Sequence, residues 1–126
     1  MAADPDFVAH VTDLFAGLGP ITRGRLFSGV SLYVEGDVMF AMISASDRVW
    51  MKSDAGTEAA FRAAGSEPFS FHRADGEQVV TSLMSLPETA LDDPDEALHW
   101  ARLALEPARA AAVRKRQRKA RKARSG

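Results

Sequence analysis

An α+β fold follows from three patterns in the sequence. Apolar residues recur at helical spacing near the N-terminus, in the middle and again before the C-terminus. Between these stretches lie two blocks in which apolar and polar residues alternate, and the turns inside each block are only a few residues long. Strands joined this tightly form antiparallel meanders, and helices before, between and after them lie over one face. The predicted architecture is a two-layer antiparallel sheet with helices on one face, in the order α-β-β-β-α-β-β-α.

The first helix opens at Asp4-Pro5-Asp6: a capping carboxylate, a proline suited to the first helical position and an acid at the positive end of the dipole. Phe7, Val8, Val11, Leu14, Phe15 and Leu18 form one apolar face, and Gly17, Gly19 and Pro20 stop the helix. In the first strand Val30, Leu32 and Val34 alternate with Ser31, Tyr33 and Glu35, and Gly24 and Ser28-Gly29 mark a bend or bulge. After the turn Glu35-Gly36-Asp37, residues 38–43 are apolar on both faces, which suits a central strand. Ala45-Ser46-Asp47 turns the chain into a third strand, residues 48–52.

The second helix is expected to start at Ser53 or Asp54, with Ala59, Ala60, Phe61 and Ala64 at helical spacing and Gly65 closing it. Phe69 and Phe71 alternate with Ser70 and His72, Asp75-Gly76 gives a turn, and residues 78–84 return as the hairpin's second strand. Asp93-Pro94-Asp95-Glu96 combines an acidic cap, a first-position proline and a glutamate three residues after the cap. Leu98, Ala101 and Leu105 then form an apolar row, with Trp100, Leu103 and Ala104 beside it. Pro107 is expected to kink or interrupt this helix, because it cannot donate to the carbonyl four residues back. The expected core includes Phe7, Val11, Leu14, Phe40, Met42 and Phe61.

The near-neutral net charge of −1 conceals two opposed regions. Residues 1–106 hold all 17 acids and seven of the 16 basic residues, a net of −10, while the other nine basic residues fall among the last twenty with no acid. Eight of the eleven residues from 114 to 124 are Arg or Lys. The expected organisation is a folded acidic domain, residues 1–106, followed by a basic tail, residues 107–126, partly helical or disordered. Within the tail the pairs Arg114–Arg118, Lys115–Lys119 and Arg118–Lys122 repel at i,i+4, which predicts a frayed helix or coil that orders on a polyanion.

Several function classes fall away. Zero cysteines exclude disulfides, thiolate metal sites and cysteine nucleophiles. The acidic N-terminus does not read as a signal peptide, and the longest apolar run is far short of the ~20 residues of a membrane span, so a cytoplasmic location is expected. His10, His72 and His99 fall on different elements without metal-ligand spacing and read as surface or boundary residues. Asp92, Asp93, Asp95 and Glu96 read as a cap rather than a hard-cation site. Gly17-Leu18-Gly19-Pro20 lacks the pattern of a dinucleotide fingerprint, and Ser28-Gly29 has no nucleophile-elbow context. Trp50 and Trp100 fit packing better than base stacking. The expectation is no catalytic site, no cofactor and no metal.

The order of pieces resembles the TfoX/Sxy family N-terminal domain. The matching text runs through Leu18-Gly19-Pro20-Ile21-Thr22, Arg25-Leu26-Phe27-Ser28-Gly29-Val30, Leu32-Tyr33, Phe40-Ala41-Met42-Ile43 and Trp50-Met51-Lys52. It continues through Phe61, Ala64-Gly65-Ser66-Glu67-Pro68-Phe69, Leu86-Pro87-Glu88, Leu91-Asp92-Asp93-Pro94 and Trp100-Ala101. The resemblance implies a non-enzymatic regulatory module akin to bacterial competence and transcription regulators, which act with the cyclic-AMP receptor protein in some bacteria, and therefore a protein partner in transcription. Two departures stand out. A basic tail occupies the place of the family's usual second, helical domain, and Leu83-Met84-Ser85 replaces the paired aromatics often found before the Pro-Glu.

The tail adds its own expectation. Arg114, Lys115, Arg116, Arg118, Lys119, Arg121, Lys122 and Arg124 are the candidate nucleic-acid-binding residues, since Arg forks match phosphate oxygens and such contact is non-specific. Competing readings are a tail serving solubility only on a protein-interaction domain, an intramolecular clasp onto the acidic body, and membrane-surface binding, which lacks an apolar face.

Overall fold

The computed structural model describes residues 3–26 and 28–125; Phe27 lies outside the described residues, as do the side chains of His72, Arg73 and Ser125. Helix α1 (Pro5–Leu14) begins as its sequence dictates, with the Asp4 carboxylate accepting from the Asp6 N–H at 3.3 Å and Pro5 in the first turn. Val8, Val11, Leu14 and Phe15 are buried. Phe7, expected in the core, is only half-buried at its rim, beside Asp4, Pro5 and Asp6, which are all exposed.

Six strands, β1 (Thr22–Leu26), β2 (Gly29–Val34), β3 (Val38–Ile43), β4 (Val49–Lys52), β5 (Pro68–Arg73) and β6 (Gly76–Ser85), form one sheet in the order β1-β2-β3-β4-β6-β5. Every neighbouring pair is antiparallel. The expected two-layer α+β fold is therefore present, with one more strand than predicted. The bend expected at Ser28-Gly29 is a hairpin in which Leu26 pairs with Gly29, whereas Gly24 lies within β1 opposite Ser31. Gly29 permits this, because a side chain there would collide with the Ile43 carbonyl of the adjoining β3.

The central strand β3 feeds two cores. Leu32 pairs with Ala41 and Tyr33 with Met39, so Phe40 is the extra residue of a β-bulge. As a result Val38, Phe40, Ala41 and Ile43 all join the main core beneath the helices, while Met42 joins a small cluster with Trp50 and Leu83. Phe40 meets Phe15 edge-to-face at 5.3 Å, and Phe61 lies 4.8 Å from Trp100.

Helix α2 is short (Glu58–Ala63) and starts later than the sequence suggests. Asp54 and Thr57 bond reciprocally, Thr57 N–H to Asp54 Oδ1 and Asp54 N–H to Thr57 Oγ1, both at 3.1 Å. These local bonds compete with helix, so the chain makes a turn before it coils. Helix α3 runs unbroken from Pro94 to Ser125. Its N-terminus is capped by Asp93, whose Oδ1 accepts from the backbone N–H groups of Asp95 and Glu96 at 3.1 and 3.2 Å.

Two expectations about α3 are corrected. Pro107 does not interrupt it: Pro107 is itself buried, and buried alanines flank it at Ala104, Ala108 and Ala112. Packing on both sides of the proline holds the helix where local propensity would end it. Ala108 and Ala112 belong to the main core, so α3 packs on the sheet beyond the proline. Residues 114–124, predicted as a frayed helix or coil, are helical.

Candidate functional site

The basic residues acquire their geometry from the helix that carries them. Ala97, Ala101, Ala104, Ala108 and Ala112 recur every three or four residues and are all buried, forming the row on which α3 lies against the sheet. The same row continues as Lys115, Lys119 and Lys122, which are exposed. Arg114, Arg118 and Arg121 form a neighbouring row at the same spacing. Every residue from 113 to 124 is exposed, a length of about 18 Å at 1.5 Å per residue. The predicted cations thus stand on a rod that leaves the folded body.

Arg116 reaches back to that body. Its guanidinium grips Asp37 with both branches, Nε to Oδ2 at 2.7 Å and Nη2 to Oδ1 at 2.8 Å. Two turns earlier on the helix, Arg109 grips Glu35 in the same manner, with Nε 3.0 Å from Oε1 and a second bond from Nη2 to Oε2. Both carboxylates belong to the turn between β2 and β3, where Glu35 and Gly36 adopt left-handed φ values of 53° and 88°. A glutamate in that region is uncommon, whereas glycine enters it freely. Hydrogen bonds from Arg109 hold the Glu35 carboxyl below its ordinary range, and those from Arg116 do the same for Asp37. Each guanidinium is in turn held more firmly protonated.

One cation of this surface is not evident in the sequence. Lys52, the last residue of β4, is half-buried and forms no salt bridge among the described residues. Burial pushes its ammonium pKa down, and the positive charge of Arg114 adds to the effect. A lone lysine ending a strand reads as an ordinary edge residue; only the fold brings it near α3.

The opposite face of the sheet carries a different feature. An apolar cleft of about 380 Å³ is lined by Leu26, Gly29, Met42, Phe69 and Phe71, with Ser28 and Ser44 also on its wall. Trp50 packs edge-to-face on Phe69 at 5.1 Å, and the Arg48 guanidinium lies 4.8 Å above the Trp50 ring. Ser31 Oγ and Trp50 Nε1 are buried without hydrogen-bond partners among the described residues.

The remaining sequence candidates are dispersed. His10 donates from Nε2 to the Leu91 carbonyl at 2.7 Å, and His99 is exposed against the edge of Trp100. The His72 side chain lies outside the described residues. Trp100 is core, donating from Nε1 to Glu96. Among the described residues no three His, Asp or Glu side chains are grouped to hold a metal ion. No helix among them is long and apolar enough to cross a membrane.

The described residues thus form a six-stranded antiparallel sheet backed by helices on one face, with a cationic helix end. The TfoX N-terminal domain model matches residues 13–108, and the chain belongs to that family. At this level it is a TfoX-like regulatory domain, of a family not known for enzymes. Among curated proteins nothing matches the chain.

Proposed function

We propose that this protein is a non-enzymatic regulator of the TfoX/Sxy kind, acting in competence or transcription, whose helix end contacts nucleic-acid phosphates while the folded domain engages a protein partner. The observation that carries the reading is the exposed rod of residues 113–124, in which two cationic rows continue the helix after its buried alanine row ends. Arginine forks and lysine point charges on such a rod suit the oxygens of a phosphate backbone. Lys52 beside Arg114 adds a further positive charge where the rod meets the body. The apolar cleft, with serines at its wall, supports a protein partner, because large apolar patches rimmed by polar groups mark interaction surfaces.

Phosphate contacts position a protein without reading sequence, so binding is expected to be nearly blind to base order. The test is an affinity series on unrelated duplexes and single-stranded RNA between 50 and 300 mM salt, with the full chain and with residues 113–126 removed. With about 4–8 phosphates engaged, log affinity falls against log salt with a slope of about −4 to −7. Neutralising Arg114, Lys115, Arg118 and Lys119 together flattens that slope by about 3–4. Absence of salt-dependent binding by the full chain near 50 mM salt defeats the nucleic-acid reading and leaves an interaction domain with a solubilising helix end.

A further inference from the structure

We propose that the turn Glu35-Gly36-Asp37 is a built-in phosphate mimic that latches the basic half of α3 to the body, and that a phosphate polyanion opens the latch by taking Arg116 from Asp37. The proposal rests on the reading of α3 as a nucleic-acid contact and adds the device that regulates it.

Four observations converge on this turn. Among the described residues the salt bridges include two that reach α3, and both come from Glu35 and Asp37. Arg109 and Arg116 stand seven residues apart, two helical turns, so one short acidic turn holds a single face of the helix at two points. The two grips differ in position. Arg109 lies between Ala108 and Ala112, where packing already fixes the helix; Arg116 lies past Ala112, the last core residue of α3. Glu35 and Gly36 take the left-handed φ of a tight hairpin turn, and that turn presents both the Glu35 and the Asp37 carboxylates to α3.

The chemistry makes the exchange easy. A carboxylate and a phosphate each offer a pair of oxygens to the arginine fork, so one replaces the other without loss of hydrogen bonds. Both partners of the Arg116–Asp37 pair are about half exposed, at 55% and 51% for the side chains. An ion pair this exposed is screened by salt and readily displaced. Asp37 left facing a phosphate backbone would repel it, so binding and latch closure compete. A partner that covers Asp37 would therefore favour nucleic-acid contact without touching the nucleic acid.

The test follows the Arg116 Nε–H signal of the full chain by NMR, alongside binding to a 20-base-pair duplex and to long-chain inorganic polyphosphate. In the free protein that signal is expected to be shifted and protected from solvent exchange, and Asp37→Asn should abolish the protection. Asp37→Asn should bind polyanion at least about threefold more tightly at 50 mM salt, with a salt slope steeper by about 0.9, the share of one further phosphate. Glu77→Gln removes the same charge from the exposed start of β6, away from α3, and should leave affinity within about 1.5-fold. Arg116→Gln breaks the latch and removes the cation, so it should lose the signal while flattening the slope. Equal tightening by Asp37→Asn and Glu77→Gln would mean that only net charge matters, and would overturn the latch, as would polyphosphate that binds without moving the Arg116 signal. If polyphosphate opens the latch and neither DNA nor RNA binds, the latch stands and the nucleic-acid reading falls.

Discussion

The two halves of α3 share one backbone and almost nothing else. Residues 94–112 lay five buried alanines against the sheet, each small enough to bring the helix close to β3 and β4. Residues 113–124 bury nothing and set lysine and arginine where the alanines would continue. The first half is helical because burial holds it there, even across Pro107. The second is helical because Ala, Arg, Lys and Gln coil well and the first half supplies the nucleus, against repulsion among its own charges. An unbroken helix in the fold thus joins two segments that obey different forces.

The largest test removes the floor under the first half. Phe40 of β3 is fully buried against Phe15, and Phe40→Ala is expected to cost about 3–5 kcal/mol in denaturant unfolding. Next comes the alanine row itself: Ala108→Leu forces bulk between α3 and the sheet and should cost about 1–3 kcal/mol, read by thermal melts. Removing residues 113–126 should leave stability within about 0.5 kcal/mol of the full chain, because residues 113–124 are exposed throughout. Loss much beyond that would show that the second half is part of the fold after all.

Two smaller effects sharpen the electrostatic side. Lys52 has its pKa depressed in the folded state, so its charged form is a mild liability below that pKa, relieved as pH rises through it. Lys52→Met should therefore stabilise the protein slightly at pH 7, by less than about 1 kcal/mol, with a smaller advantage at alkaline pH. For the latch the expected change is none over most of the pH range. Glu35 and Asp37 have depressed folded pKa values, so their contribution is complete above the ordinary carboxylate range and lost only as pH falls through the folded values. The Arg116 Nε–H signal should therefore persist through the ordinary carboxylate range and disappear only below it. Salt, rather than acid, is the way to open this pair.

How much of this was legible in the sequence depended on the range of the cause. Residues 38–43 announced a central strand because their alternation failed, and the bulge at Phe40 explains how both faces became apolar. The split of β1 from β2 was illegible, since what makes Gly29 necessary is a carbonyl fourteen positions away on β3. Pro107 misled for a related reason: its local preference is strong, and the packing that overrides it comes from the sheet. The eight cations of the candidate site were plain from composition. Asp37's hold on Arg116 spans 79 positions and leaves no local mark, and Lys52 looks like any strand end until the fold sets it near Arg114.

The two tryptophans give this molecule separate optical reporters. Trp100 lies on the helix side of the sheet, packed on Phe61 and bonded to Glu96, whereas Trp50 lies on the other side against Phe69 and Arg48. With Trp50→Phe, the remaining emission follows the environment of α3; with Trp100→Phe, it follows the wall of the cleft. A change in Trp50 emission while Trp100 emission stays constant would report a ligand in the cleft in a cuvette, with no label attached.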